Sequence, residues 1–242
     1  MARGSGALTA MRLILLFALL AVPLAATPRH FTSGETRTRL IELYSSEGCS
    51  SCPRAEAWLG GLGDAPGLWR DFVPVAFHVA YWDHLGWRDR FASKEFTARQ
   101  YAYSGRWGHD TVYTPCFVLD GAEWRNPAVP PPSAGKAGVL SVEYAAGGVC
   151  RVNFTGRGDH EVHAAVLGGG LMSPVRAGEN GGRTLRHDFV ALGLKSGRLV
   201  NGTAELVLPD ATDKTARRHA LAVWVTRRGD PRPVQATGGW LD

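Results

Sequence analysis

No apolar run in this chain is long enough to cross a bilayer: Leu13 to Leu24 is about a dozen residues with Pro23 inside it, whereas a spanning helix needs roughly 20. No cysteine follows that run, which argues against a lipid anchor. Lys and Arg are scattered and form no basic cluster, so nothing calls for nucleic acid as a partner. Ser50 and Ser51 lie outside any G-x-S-x-G setting, which removes a serine hydrolase. No internal repeat is evident, and cysteine is limited to Cys49, Cys52, Cys116 and Cys150.

What the N-terminus does contain is Arg3 and Arg12 ahead of the apolar run, then the small pair Ala25-Ala26, the pattern of a cleaved secretory signal over residues 1–26. Its removal lowers the formal charge from +5 to +3 by loss of the two arginines. An exported location, periplasmic or secreted, follows as the expectation, with no stable membrane insertion after cleavage. Export would place all four cysteines where disulfides persist. The remaining chain of about 216 residues fits one large domain or two small ones.

A change of pattern along the chain favours two domains. RLIELYSS reads as a strand running into EGCSSCP, where Pro53 suits the first turn of a helix carrying Ala55, Trp58, Leu59 and Leu62. FVPVAFHV, apolar on both parities, predicts a strand covered on both faces. Ser93 can cap a second helix ending near Gly105, and Asp120-Gly121 in VYTPCFVLDGAEW signals a hairpin. The expectation over 36–126 is an α/β domain of order strand, helix, strand, helix, strand, strand. A Pro-rich linker over 127–138 follows, containing Pro127, Pro130, Pro131 and Pro132. Over 139–242, six short β-prone segments separated by turn residues predict a small all-β, sandwich-like domain.

Chemistry concentrates at Cys49-Ser50-Ser51-Cys52, a C-x-x-C at a strand-to-helix junction. Free backbone N–H groups and the positive end of the helix dipole favour a thiolate on the first cysteine. Cys49 is then the nucleophile, and Cys52, one turn inward, the resolving thiol of a dithiol exchange. Thr114-Pro115, an X-Pro bond just before a strand, is a candidate cis peptide. Together these features resemble the thioredoxin superfamily, in which such a proline loop faces the cysteine pair and its backbone binds substrate; the resemblance implies that role for Thr114 and Pro115. Trp82 and Trp87, after the second strand, could add an apolar shelf for a peptide.

At closer range the phrases LIELYSSEGCSSCP, PVAFHVAYWDHLGW, VYTPCFVLDG and GENGGRTLRH are similar to the DUF1223 proteins, exported bacterial proteins of unknown function. That resemblance implies a thioredoxin-like fold with an appended β domain. The reaction implied by the residues is thiol-disulfide exchange with protein thiols or disulfides in the periplasm. Two other functions stay open. The first is a copper or zinc carrier using Cys49 and Cys52 with His78 or His84, since thiolates with an imidazole suit Cu(I) or Zn. The second is a non-catalytic interaction protein. Cys116 could be a buried apolar residue, a disulfide partner of Cys150 or a third redox thiol.

Overall fold

The computed structural model describes Met1, residues 27–209 and residues 213–242. Apart from Met1, the expected signal segment lies outside the described residues. Among the described residues no helix is long and apolar enough to cross a membrane.

Fourteen strands follow one another along the described chain. The first five are β1 (Arg29–Thr32), β2 (Arg39–Ser45), β3 (Phe72–His78), β4 (Cys116–Leu119) and β5 (Ala122–Glu123). Next come β6 (Leu140–Ala145), β7 (Val149–Phe154), β8 (His160–Gly169), β9 (Leu171–Pro174) and β10 (Thr184–His187). The last four are β11 (Val190–Arg198), β12 (Thr203–Val207), β13 (Arg218–Arg227) and β14 (Pro233–Trp240). Helix α1 (Cys52–Gly61) lies between β2 and β3, and α2 (Lys94–Arg106) between β3 and β4.

The expected local elements form where their signals stand. Ser93 caps α2, its hydroxyl accepting the Glu95 N–H at 3.1 Å. Asp120 and Gly121 both take positive φ, 52° and 86°, as a two-residue hairpin turn requires, and join β4 to β5. The Thr114-Pro115 bond is cis.

The expected fold class is overturned. The chain is predominantly β and is not an α/β thioredoxin-like fold, because most strands of its main sheet come from the C-terminal half. That eight-stranded sheet has the order β14-β13-β8-β11-β3-β2-β4-β5. β2 and β3 pair in parallel, but β11 then lies against the other edge of β3, with Val190 opposite Ala76. β8, β13 and β14 extend the sheet by antiparallel pairing. FVPVAFHV is covered on both faces as its composition implies, with every residue of β3 buried; composition cannot say which strand will occupy its edge. A second sheet of order β1-β6-β7-β12 packs on the far part of the first.

Strand parity separates two cores. On β13, Leu221, Val223 and Val225 face the four-stranded sheet together with Leu140, Val152 and Phe154. Ala220, Ala222 and Trp224 face the other way and join β2, β3 and both helices. Cys150 belongs to the first core and Cys116 to the second, and both are free thiols.

On β2 the same alternation puts Glu42 and Tyr44 toward α2 and Ser45 toward α1. Glu42 is fully buried and receives the Arg99 guanidinium at 2.7 and 3.1 Å, the Tyr103 hydroxyl at 2.6 Å and the Tyr44 hydroxyl at 2.9 Å. A carboxylate so buried persists because every donor around it is aimed inward. Arg99 also lies over the Trp224 ring, 5.1 Å from its centroid.

Trp224 is fully buried, stacks on His163 with centroids 5.3 Å apart and meets Phe77 edge-on. Its indole N–H is buried without a hydrogen-bond partner. Replacing Trp224 by Ala is expected to cost about 3–5 kcal/mol of stability. Trp224→Phe keeps a ring and removes the orphaned donor, so its cost is expected below about 1.5 kcal/mol. Urea denaturation midpoints at unchanged slope check both; equal losses would mean that the ring contacts carry little of the packing energy.

Candidate active site

The turn between β2 and α1 builds the site. The Cys49 N–H donates to the Ser46 carbonyl at 3.1 Å, and the Cys52 N–H to the Cys49 carbonyl at 3.2 Å. Gly48 permits a close approach, since a Cβ there would lie 2.9 Å from the Trp82 Cβ. Ser51 occupies the N-cap position of α1 without capping it. Its hydroxyl instead lies 3.3 Å from the Cys49 sulfur.

The two thiols are electrostatically unequal. Cys49 is lowered to about 6, chiefly because the Cys52 thiol hydrogen-bonds to its sulfur; burial opposes this, while Ser51 and Thr114 add donors. Cys52 is pushed far above the ordinary thiol range, first by burial and then by its bond to Cys49 and repulsion from that charge. Burial raises Cys116 to about 11 and Cys150 to about 12. One cysteine of the four is therefore set to be a thiolate at neutral pH.

Of the residues singled out from sequence, Thr114, Pro115 and Trp82 gather around this pair, whereas Trp87, Cys116, His78 and His84 are engaged elsewhere. When protonated, the Cys49 thiol points at the Thr114 carbonyl, 3.7 Å away, on the loop that ends in Pro115. Trp82 pins that loop, its indole N–H donating to the Thr114 hydroxyl at 2.7 Å. Trp87 is spent inside the scaffold, donating to Glu47 at 2.6 Å. Cys116 is buried on β4, paired opposite Tyr44. His84 is exposed, with Nδ1 2.7 Å from the Tyr81 carbonyl. His78 is fully buried and turned toward Asp89 and Glu56.

Sequence reasoning missed the groups that enclose the turn. The buried Asn180 donates to the Glu47 and Cys49 carbonyls, both at 2.9 Å, and its own oxygen accepts from Arg183 at 2.6 Å. Glu179 accepts the Ser50 N–H at 2.9 Å. These residues sit in the GENGGRTLRH phrase, whose Asn among glycines was the available signal. Cys49 as a residue is only 1% exposed, while Ser50 and Ser51 beside it are open to solvent.

Also missed was a buried ionic chain beneath Cys52. Ser45, which hydrogen-bonds to the Cys52 thiol, donates to Glu56 on α1. Glu56 bonds the Nδ1 of His187, whose Nε2 is 3.3 Å from Glu47 Oε1. His78 Nε2 is 3.7 Å from Glu56 Oε1, and His78 Nδ1 is 2.7 Å from Asp89. Burial works against charge on His187, but Glu56 and Glu47 overcome it and raise the imidazole to about 10. Burial likewise opposes ionisation of Glu56 and Asp89, and the facing histidines reverse it to hold both below the ordinary carboxylate range. Among the described residues the three side chains with metal-ligand spacing are Glu56, His78 and His187, a set that includes neither cysteine of the pair nor His84.

Comparison with known proteins places these observations in a family. An X-ray crystal structure of a protein from Agrobacterium tumefaciens matches with a TM-score of 0.59 and 25% identity, over 85% of this chain and 95% of that one. HBP35 of Porphyromonas gingivalis matches with a TM-score of 0.57 over 87% of this chain and 77% of its own. At 14% identity that second likeness concerns the fold alone. No curated protein matches the chain in sequence. Residues 40–226 match the family described as "Protein of unknown function (DUF1223)", a span that covers the cysteine pair, the Thr114 loop and the Asn180 clamp, and the chain belongs to that family.

Proposed function

We propose that this chain carries out thiol-disulfide exchange, with Cys49 as the attacking thiolate and Cys52 as the resolving thiol. The observation that carries the reading is the placement of the pair: the Cys49 sulfur lies 3.3 Å from the Ser51 hydroxyl and 3.7 Å from the Thr114 carbonyl, with Cys52 buried at the first turn of α1, surroundings that lower the Cys49 thiol and raise that of Cys52. The Cys49 thiolate attacks one sulfur of a partner disulfide, forming a mixed disulfide and releasing the partner's other sulfur as a thiolate. Cys52 then gives up its proton and attacks the Cys49 sulfur, releasing the partner's first sulfur. The partner disulfide is reduced by two electrons and the pair becomes a Cys49–Cys52 disulfide; the reverse sequence oxidises a partner dithiol.

The amino-terminal segment supports an exported location, so periplasmic or secreted protein thiols and disulfides are the partner class. The exposed Ser50–Ser51 edge and the Thr114 loop are where a partner would approach. Cys49 is 1% exposed, so a macromolecular disulfide reaches its sulfur only when the residues around the turn give way.

Two measurements test the proposal. Alkylation of Cys49 by iodoacetamide, followed against pH on the reduced protein, is expected to titrate near pH 6, with the reactive thiolate present above that value and lost below it. In Cys52→Ala the midpoint should rise by about 1–2 units, since a hydrogen bond to a charged group is worth about 1.5–3 kcal/mol and one unit is about 1.4 kcal/mol. A wild-type midpoint near the ordinary thiol value of about 8.5 would remove the basis for assigning Cys49 as the nucleophile. Equilibration in glutathione or dithiothreitol buffers should place the pair between about −120 and −270 mV, whereas a value below about −300 mV would identify an inert structural disulfide.

A further inference from the structure

Beneath the cysteine pair, α1, β3, β10 and the turn after β2 direct four polar side chains into one space closed to solvent. Glu47, His78 and His187 are fully buried and Glu56 is 5% exposed. Three of their atoms, Glu47 Oε1, His78 Nε2 and His187 Nε2, have no hydrogen-bond partner. A buried polar atom left unpaired costs about 1–3 kcal/mol, so unpaired atoms within one buried cluster call for a physical reason.

The surroundings specify its charge. Three carboxylates, those of Glu47, Glu56 and Asp89, meet two imidazoles, so the carboxylates outnumber the rings and the cluster keeps a net negative charge away from water even with both rings protonated. Both rings have Nδ1 engaged by a carboxylate, His78 by Asp89 and His187 by Glu56, and each Nε2 faces a further carboxylate oxygen, Glu47 Oε1 at 3.3 Å from His187 and Glu56 Oε1 at 3.7 Å from His78. That is the outer-shell arrangement that orients metal-ligating histidines.

The spacing specifies its size. One ligand atom from each of Glu56, His78 and His187 lies within 4.8 Å of the others. Glu47 Oε1 stands 3.3 Å from His187 Nε2, and Glu56 Oε1 3.7 Å from His78 Nε2. Tetrahedral ligands at about 2.0–2.1 Å from zinc are separated by about 3.3–3.4 Å, so small side-chain shifts would close the set. The donors are imidazole and carboxylate, which suit zinc-class divalent ions and disfavour Cu(I).

We propose that His78, His187, Glu56 and Glu47 form a buried site for a divalent transition-metal ion, zinc being the reference ion, separate from the Cys49–Cys52 pair. Its role is to bind α1 to β3 and β10, and it stands whether or not the cysteines exchange disulfides.

The test uses the purified, reduced chain, stripped with chelator and reloaded with zinc or cobalt(II). One equivalent of zinc per chain is expected by elemental analysis, retained through gel filtration. Cys49→Ser/Cys52→Ser should keep that equivalent, while His78→Gln and His187→Gln should weaken zinc binding about tenfold or more. The cobalt form of the wild-type protein should show ligand-field bands without thiolate-to-cobalt charge transfer, a readout that needs no histidine variant to fold. Absence of retained zinc, its loss in the cysteine variant, or a thiolate charge-transfer band would overturn the proposal. Retention of zinc by both histidine variants with a native circular dichroism spectrum would overturn it equally.

Discussion

Glu56 is a carboxylate on the inner face of a helix, and much of the molecule is arranged to keep its charge. It accepts from Ser45 of β2, lies beside His78 of β3 and bonds His187 of β10, so one residue of α1 is tied to three strands drawn from both halves of the chain. An uncompensated buried charge is worth several kcal/mol against folding, so these contacts form together or not at all. The seating of α1 fixes Cys52 at its first turn, and Cys52 sets the acidity of Cys49. The acidity of the Cys49 sulfur thus depends on an ionic contact one turn deeper, through the helix that carries Cys52.

The other face of the same strand carries a second buried cluster. Glu42, three residues before Ser45, is closed off by Arg99, Tyr103 and Tyr44. β2 therefore takes part in two desolvated carboxylate clusters: its own Glu42 is satisfied from α2 on one face, and its Ser45 donates to Glu56 of α1 on the other. Sliding β2 by one residue would turn each of its side chains to the opposite face and strand both charges. Register at the centre of the sheet is set by polar contacts as firmly as by the apolar residues around them.

What was legible in the sequence is what is decided locally. The Ser93 cap, the Asp120-Gly121 turn, the helix after Cys52 and the cis bond at Pro115 rest on a few adjacent residues and stand where they were expected. The sheet was not legible, because the edge of β3 is filled by Val190, more than a hundred residues away, and an apolar strand does not name its neighbour. β1, β9 and β14 were not anticipated either, being short or rich in small residues. At the site, the cysteines and Thr114 could be read from their motif and turn chemistry. Glu56 reads as an ordinary helix carboxylate, and only its contact with His187, 131 positions later, gives it another meaning. Glu47 illustrates the same limit: as a neighbour of Cys49 it would oppose the thiolate, yet it is taken up by Trp87 and His187.

The Asn180 clamp grips carbonyls more than 130 positions upstream, at Glu47 and Cys49. A chain made from its N-terminus therefore presents its cysteine pair long before the clamp exists, and the contacts that close the sheet come from β13 and β14, nearly at its end. Such long-range closure is slow relative to local structure. During biogenesis the sulfurs would pass through a period of full exposure, in which a cross-link formed with Cys150 would tether the turn to a segment that belongs to the other core. The order in which the ribosome delivers this chain leaves its most acidic thiol unguarded until the last strands arrive.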